Sequence, residues 1–456
     1  MIRVTPCGAA GEVTGSGLYI ETRSTRLLVD FGIFQGGNQP AQRSRELGPV
    51  DPATLQTVVL THAHVDHSGR VPLLYARGYD GGVVATPATF ALTPILLEDV
   101  ARLDAERTAD PIYRPEDVRR MHQSRHLRVL PWRQTLSLPG GAQVTLHDAG
   151  HIMGASSAVL AVESGGRSLR MVFSGDLGPP DVPLLRDPDP PQGADVVFLE
   201  STYGGRSRVR LQETIEAFKG ILEAAARAGE TVLIPAFAVG RTQLLLFYLA
   251  EAVREGRLPR DLPIVLDSPM ATKATEALFE HPEVLDADSR RLVDSGQLAR
   301  DLASLVITRS AAESKALNDS SEPCVIVSAS GMCEGGRVVH HLRHRLGRGD
   351  VHVVIVGYMA EGTLGRALAE GAREVEIEGQ VIPVRARIHV LDGFSAHADH
   401  GELLGWLAAV IGPSRRLPSV VLTHGEDMAR EALAAGIRER WGIEPLLPRQ
   451  GERLDF

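Results

Sequence analysis

Between residues 58 and 69 the chain reads VVLTHAHVDHSG, with His62, His64, Asp66 and His67 inside six positions. Imidazole nitrogen and carboxylate oxygen are donors that hold zinc. The run TVVLTH is apolar and β-branched, which predicts a short buried strand ending near His62. The residues HSGRVPLLYARG predict the start of a helix, with Leu73, Leu74 and Ala76 on its apolar side. The four donors therefore sit on a strand-to-helix turn. His62 and His64 are two apart on extended chain and can point the same way. Asp66 and His67, at the helix entrance, face a neighbouring position. Two metal ions, one for each pair, account for this division. A single buried histidine is usually a hydrogen-bonded core group. Three beside an aspartate leave too many polar heads for that explanation.

A centre for two ions needs more donors than one turn supplies. Candidates follow apolar runs elsewhere: Asp30 in LLVDFG, His151 in DAGHIMGASS, Asp176 in MVFSGDLG, His397 in GFSAHADH and His424 in VVLTHGE. Each alone is as well explained as a cap or turn residue. Together they need their strand ends to meet at one sheet edge, and the sequence leaves that meeting open.

The chain has 456 residues, 43% hydrophobic and 23% charged, which predicts a globular protein of two domains. Residues 1–206 are short apolar or alternating runs split by Gly, Pro and Asp. From 207 the texture changes: RLQETIEAFKGILEAAARAGE is amphipathic at helical period, and TVLIPAF, LPIVLDSP, PCVIVSASG and VHVVIVGY alternate with helical stretches. That βαβ rhythm predicts a parallel sheet with flanking helices. Short strands return after 378. The expected organisation is an α/β domain at 207–378 inserted into a strand-rich domain made of 1–206 and 379–456.

The formal charge of −9 argues against a surface coated for nucleic acid, while leaving room for a local basic groove. Lys occurs only at 219, 273 and 315, so nearly all cations are Arg, which can grip phosphate with two parallel bonds. Cys7, Cys324 and Cys333 form no disulfide framework, no signal-peptide pattern opens the chain, and no run of 18 apolar residues occurs. A cytoplasmic protein with no membrane partner is expected. The stretch SASGM, with Ser330, Gly331 and Met332, is expected to end a strand and open a helix, a natural anion site. Arg337 begins a basic stretch beside it, and Arg241 and Arg366 are further candidates for contacts to phosphate.

The constellation resembles a known family. THAHVDHSG matches the HxHxDH signature of the metallo-β-lactamase superfamily, and Asp30, His151 and Asp176 fit its other metal motifs in order. LESTYGGR with Glu200, FSAHADH, VLTHGE, PAFAVGRTQ, DSPMA and SASGMCEGGR are similar to the β-CASP branch, which comprises nucleases. The motifs resemble those of bacterial and archaeal ribonucleases similar to the endonuclease subunit of the mRNA cleavage and polyadenylation factor. The resemblance implies an αββα sandwich carrying an inserted β-CASP domain with a parallel sheet.

For the site, the resemblance implies two Zn²⁺ per chain. His62, His64 and His151 would hold one and Asp66, His67 and His424 the other, with Asp176 between them and Asp30 orienting a ligand. Glu200 would hold His397 as a proton donor to the scissile phosphate. The implied reaction is hydrolysis of single-stranded RNA by a metal-bridging hydroxide, endonucleolytic and open to 5′-to-3′ trimming, with Asp66 also accepting a proton. A DNA nuclease of the same branch and a small-molecule metallo-hydrolase are the alternatives. His424 favours RNA, because DNA-acting members tend to carry Val there. A homodimer is an open option.

Overall fold

The computed structural model describes residues 1–36, 38–164, 166–207, 210–357, 359, 362–413 and 417–456. The chain divides into two compact units. One comprises Met1–Asp181, Arg186–Ser207 and His397–Phe456, the other Val182–Leu185 and Arg208–Ala396.

In the first unit, β1 (Arg3–Gly8), β2 (Gly17–Glu21), β3 (Arg26–Val29), β4 (Thr57–Val59), β5 (Gly82–Ala85) and β6 (Arg128–Val129) lie side by side in that order. β1 to β3 are antiparallel, and β3 to β6 are parallel. Parallel neighbours need a crossover, and the helix Pro87–Arg107 lies between β5 and β6. Its start is fixed locally: Pro87 occupies the first turn and the Thr86 hydroxyl accepts from Thr89 N–H at 3.2 Å. The second sheet holds β7 (Thr135–Ser137), β8 (Gln143–Asp148), β9 (Ser156–Ser164) and β10 (Arg167–Phe173), all antiparallel, then β11 (Val196–Glu200) parallel to β10.

The two sheets face each other across one core. Val4, Ile20, Leu27 and Val29 of the first meet Leu146, Leu160, Met171, Phe173 and Phe198 of the second. Side chains alternate along β3, so Leu28 points outward and joins Leu73, Leu74 and Leu97 of the covering helices.

The second unit starts with the helix Leu211–Ala228, whose buried stripe Ile215, Phe218, Leu222 and Ala225 follows helical spacing. Gly229 ends it at φ 68°, a conformation that glycine takes without strain. Then come β12 (Thr231–Pro235), β13 (Ile264–Asp267), β14 (Leu305–Ile307), β15 (Val325–Ser328), β16 (Val351–Val356), the hairpin β17 (Glu374–Ile377) and β18 (Gln380–Pro383), and β19 (Arg387–Leu391). The sheet order is β14-β13-β15-β12-β16-β19, parallel throughout. This unit ends at Ala396, not at 378, because β19 pairs with β16. A five-residue alternating strand reads the same whichever sheet receives it, and only a free edge decides.

The chain returns to the first unit with β20 (Ser419–Thr423), parallel to β11, and β21 (Leu454–Asp455), antiparallel to β1. The helix Asp427–Trp441 packs on β20. Helices on both sides of paired sheets give the αββα sandwich. Its parallel strands β3 and β4 in one sheet, and β10, β11 and β20 in the other, run into Asp30, His62, Asp176, Glu200 and His424 at their C-terminal ends.

The sandwich rests on the stacked rings of Phe173 and Phe198, 4.7 Å apart at 7° and almost fully buried. Phe173→Ala is expected to lower the unfolding free energy by about 3–5 kcal/mol, read from urea denaturation. A loss under about 1 kcal/mol would place the core elsewhere.

Candidate metal centre

The centre lies wholly in the first unit. After β3, Asp30 takes φ 59°, a left-handed conformation that aspartate tolerates. Its buried carboxylate accepts from Thr61 N–H at 2.7 Å and from the Thr61 hydroxyl at 2.7 Å. The same oxygen lies 2.8 Å from His67 Nδ1. His67 therefore keeps a proton on Nδ1, which leaves Nε2 as the nitrogen that faces inward. Gly32 allows this closeness, since a Cβ there would stand 1.6 Å from the Asp66 carbonyl oxygen.

Two sets of donors form. His62, His64, His151 and Asp176 make one; Asp66, His67 and His424 make the other; within each set the donor atoms lie within 4.8 Å of one another. In the first, His64 Nδ1 is 3.2 Å from His151 Nε2, and His62 Nε2 and His151 Nε2 are each 3.6 Å from Asp176 Oδ2. In the second, His67 Nε2 is 2.9 Å from His424 Nε2, and His424 Nε2 is 3.5 Å from Asp66 Oδ2. Asp176 Oδ1 reaches the second set too, 3.1 Å from His67 Nε2.

These residues fit metal ions on two counts. Donors around a tetrahedral zinc with bonds of about 2.0 Å stand roughly 3.3 Å apart, close to the separations within each set. Further, His62 Nε2 and Asp176 Oδ1 are buried and have no hydrogen-bond partner among the described residues. His67 Nε2, 3.1 Å from Asp176 Oδ1, is the nearest charged neighbour of that oxygen. Orphaned polar atoms at such depth are costly unless something charged meets them.

The electrostatics agree. Burial, with the nearby His67, pushes the His62 imidazole well below its usual range, so it stays neutral and its lone pair is available. Burial likewise lowers His64. Burial opposes charge on His67, but the carboxylates of Asp176 and Asp30 outweigh it and raise that imidazole well above its usual range. Burial also opposes charge on Asp176, and His424, His67 and His62 overcome it.

A third group joins Asp176, Glu200 and His397. Glu200 is buried at the end of β11, where its carboxylate accepts from Leu177 N–H at 2.8 Å and Thr202 N–H at 3.2 Å. Glu200 Oε1 stands 3.2 Å from His397 Nδ1. Burial works against protonation of His397, but Glu200 prevails and raises it to about 9. Two contributors have no chemistry visible in isolation. Thr61 ties Asp30 to His62 Nδ1, at 3.1 Å, and Thr202 Oγ1 lies 3.0 Å from His424 Nδ1. Their only sequence signal is position: Thr61 directly precedes His62 and Thr202 lies two residues after Glu200.

The candidates in the second unit fare differently. SASGM does not open a helix directly: the helix starts at Arg337, after a turn through Gly336. Gly331 is buried against the Phe237 ring, while Ser330 and Met332 are half-buried. Arg337 donates from Nη1 to Asp267 Oδ1 at 2.7 Å and to Thr308 Oγ1 at 2.9 Å. The helix is not an open phosphate-facing surface, since His341 is fully buried against Asp267 and Arg343 donates to Glu378. Arg241 is buried and donates to the Val356 carbonyl at 2.9 Å, and Arg366 donates to Glu370 at 2.7 Å.

Comparison with known proteins accords with this arrangement. A metallo-beta-lactamase superfamily model matches residues 10–236, a Beta-Casp domain model residues 242–368, and a Zn-dependent metallo-hydrolase RNA specificity domain model residues 381–448. The chain is 40% identical over 451 residues to ribonuclease TTHA0252 of Thermus thermophilus, with 99% of each chain covered. It is 32% identical over 475 residues to transcription termination factor FttA of Pyrococcus abyssi, covering 98% of this chain and 70% of that one. A crystal structure of a protein of unknown function from Enterococcus faecalis has the same fold, with a TM-score of 0.59 at 12% identity over 99% of both chains.

Asp30 generates a test of the ligand geometry. Asp30→Ala removes the acceptor at His67 Nδ1 and is expected to weaken metal binding by about 10–100-fold. Metal titration into chelator-stripped protein reads this directly, and wild-type affinity in the variant would deny Asp30 an orienting role.

Proposed function

The chain belongs to the β-CASP branch of the metallo-β-lactamase superfamily, and on that footing we propose that it is a zinc-dependent ribonuclease cutting single-stranded RNA internally. It is a metal-dependent hydrolase, and its family is one of ribonucleases. The observation that carries the proposal is the joining of two donor sets through Asp176, with a glutamate-held histidine beside them. The match of residues 381–448, which include His397 and His424, to an RNA specificity domain supports RNA as substrate.

His62, His64 and His151 would hold one zinc, and Asp66, His67 and His424 the other, with Asp176 reaching both. Two such ions, when bound, supply an activated water and neutralise charge on the phosphate. The protein's own groups do the rest. Asp66, held below the usual carboxyl range by His424 despite its burial, is ionised and able to take a proton from the attacking water. Charged His397 holds protons on both ring nitrogens; Nδ1 faces Glu200, so Nε2 gives its proton to the leaving sugar oxygen, which departs poorly as an anion. Glu200 keeps His397 both oriented and charged. Asp30 fixes the ring of His67. No helix among the described residues is long and apolar enough to cross a membrane, and the three cysteines are unpaired and buried, which supports a cytoplasmic setting.

Incubation with 5′-labelled and internally labelled RNA, matching DNA and hairpin RNA, with and without chelator, tests the reading. Linear RNA should be cut internally, hairpin stems slowly, and chelator should abolish cutting until zinc returns. The same lanes show any 5′-to-3′ trimming. Cleavage of DNA alone would favour the DNA nuclease. Hydrolysis of a small ester or lactam, with neither nucleic acid cut, would favour the small-molecule hydrolase.

Two variants separate proton delivery from metal binding. His397→Ala is expected to lower kcat by about 10²–10⁴-fold with metal content unchanged; loss of metal would make it a ligand instead. Because Glu200 raises His397, activity should fall as pH rises past the histidine's titration. Glu200→Gln removes that support, so the alkaline limb of kcat should move to lower pH. An unmoved limb would separate Glu200 from His397.

A further inference from the structure

Beyond the groups already assigned, the loop after Glu200 brings an aromatic ring and a guanidinium beside His397. The Tyr203 ring lies 6.0 Å from the His397 ring, tilted by 48°. The Arg206 guanidinium lies over the other partner of this cluster, 5.8 Å from the Tyr203 centroid. Tyr203 is half-buried and Arg206 is exposed.

The loop that carries them is fixed on both sides by segments bearing the centre. Ser201 N–H donates to the His424 carbonyl at 3.1 Å, and the Ser201 hydroxyl to the Thr423 carbonyl at 2.7 Å. Gly204 N–H donates to Ser201 at 3.0 Å, Arg206 N–H to the Tyr203 carbonyl at 3.0 Å, and His400 N–H to the Arg206 carbonyl at 3.0 Å. Gly204 lets the loop press onto the helix Asp427–Trp441, since a Cβ there would stand 2.4 Å from the Ala429 carbonyl oxygen. The aromatic face is thus set in place before any substrate arrives, which removes the ordering cost a mobile ring would bring to binding.

We propose that Tyr203, with Arg206, is a stacking platform for the nucleobase next to the cleaved bond, on the side that departs toward His397. The inference rests on the ribonuclease reading and adds to it the contact that recognises the nucleoside rather than the phosphate. Aromatic rings and guanidinium planes both stack on bases, and such contacts tolerate any base because every base has a π-face. A platform of this kind gives binding without sequence preference and needs no dense coat of cations, in keeping with a chain of net charge −9.

The test uses the full chain with its metal and three RNA oligonucleotides: intact, and abasic at the nucleotide on either side of the cleaved bond. For the wild type, KM should rise by about 5- to 150-fold when the base on one side is missing, and change little for the other side. Tyr203→Ala should raise KM for intact RNA by a similar factor, keep metal content and kcat near wild type, and no longer distinguish intact from abasic RNA. Tyr203→Phe should behave as wild type, since the ring does the stacking. Equal wild-type KM for all three oligonucleotides overturns the platform without any variant being made, and so does Tyr203→Phe losing as much as Tyr203→Ala. Either result leaves RNA cleavage itself intact. If the wild type cuts no RNA at all, the ribonuclease reading fails and the platform falls with it.

Discussion

The Asp176 carboxylate stands between two sets of imidazoles, with Oδ2 3.6 Å from His62 and His151 nitrogens and Oδ1 3.1 Å from His67. It is nearly fully buried, and Oδ1 accepts no hydrogen bond among the described residues. A carboxylate in that state is tolerable only when positive charge meets it. Without ions, the imidazoles must supply that charge by holding protons, as His67 does. Metal ions, as proposed, would take over that role, and the same carboxylate is within reach of both sets of donors. The first unit is arranged to keep this one group in place. β10 must end opposite β4, and Ser156 N–H, at the start of β9, donates to the Thr61 carbonyl at 2.8 Å across the two sheets.

The second unit contains a buried carboxylate of the opposite kind. Asp267, at the end of β13, accepts from Arg337, Thr308 and Ser314, and lies 2.6 Å from His341 Nε2. Burial opposes its ionisation, but these partners hold it below the usual carboxyl range. Every lone pair has an answer within the protein, so the group needs no ion and locks its sheet instead. The contrast separates a structural carboxylate from a chemical one better than burial does, since both are equally dry. It also explains where many of the cations go: Arg337, Arg343 and Arg345 are spent on internal acceptors.

The proton delivery proposed for His397 would follow the same logic on a smaller scale. Glu200 is held by backbone N–H groups of Leu177 and Thr202, so its charge is fixed in direction as well as in place. A fixed negative charge 3.2 Å from Nδ1 turns an ordinary imidazole into one that remains protonated at neutral pH. Tyr203 and Arg206 sit on the loop that follows Glu200, so one strand end sets His397 and the neighbouring aromatic ring together.

The sequence by itself determined the turn 62–67, because two donors on extended chain and two at a helix entrance are related by local geometry alone. Through the motifs that carry the family resemblance it also determined the αββα class with its inserted parallel sheet, and it placed Asp30 and His424 directly after strands, whereas His151 and Asp176 follow β8 and β10 by three residues and His397 lies beyond the turn Asp392–Phe394. Only the tertiary structure decided that these residues meet, since the distance from Asp176 to His424 depends on the parallel pairing of β10, β11 and β20, strands far apart in the chain. It also decided that β19 joins the inserted sheet, because an alternating strand carries no mark of its partner. The fate of Arg337 was equally hidden: nothing near it in sequence announces Asp267, 70 residues away. Local spacing fixes what a stretch of chain can bind, whereas pairing and burial fix whether a charge is used inside the protein or left for a substrate.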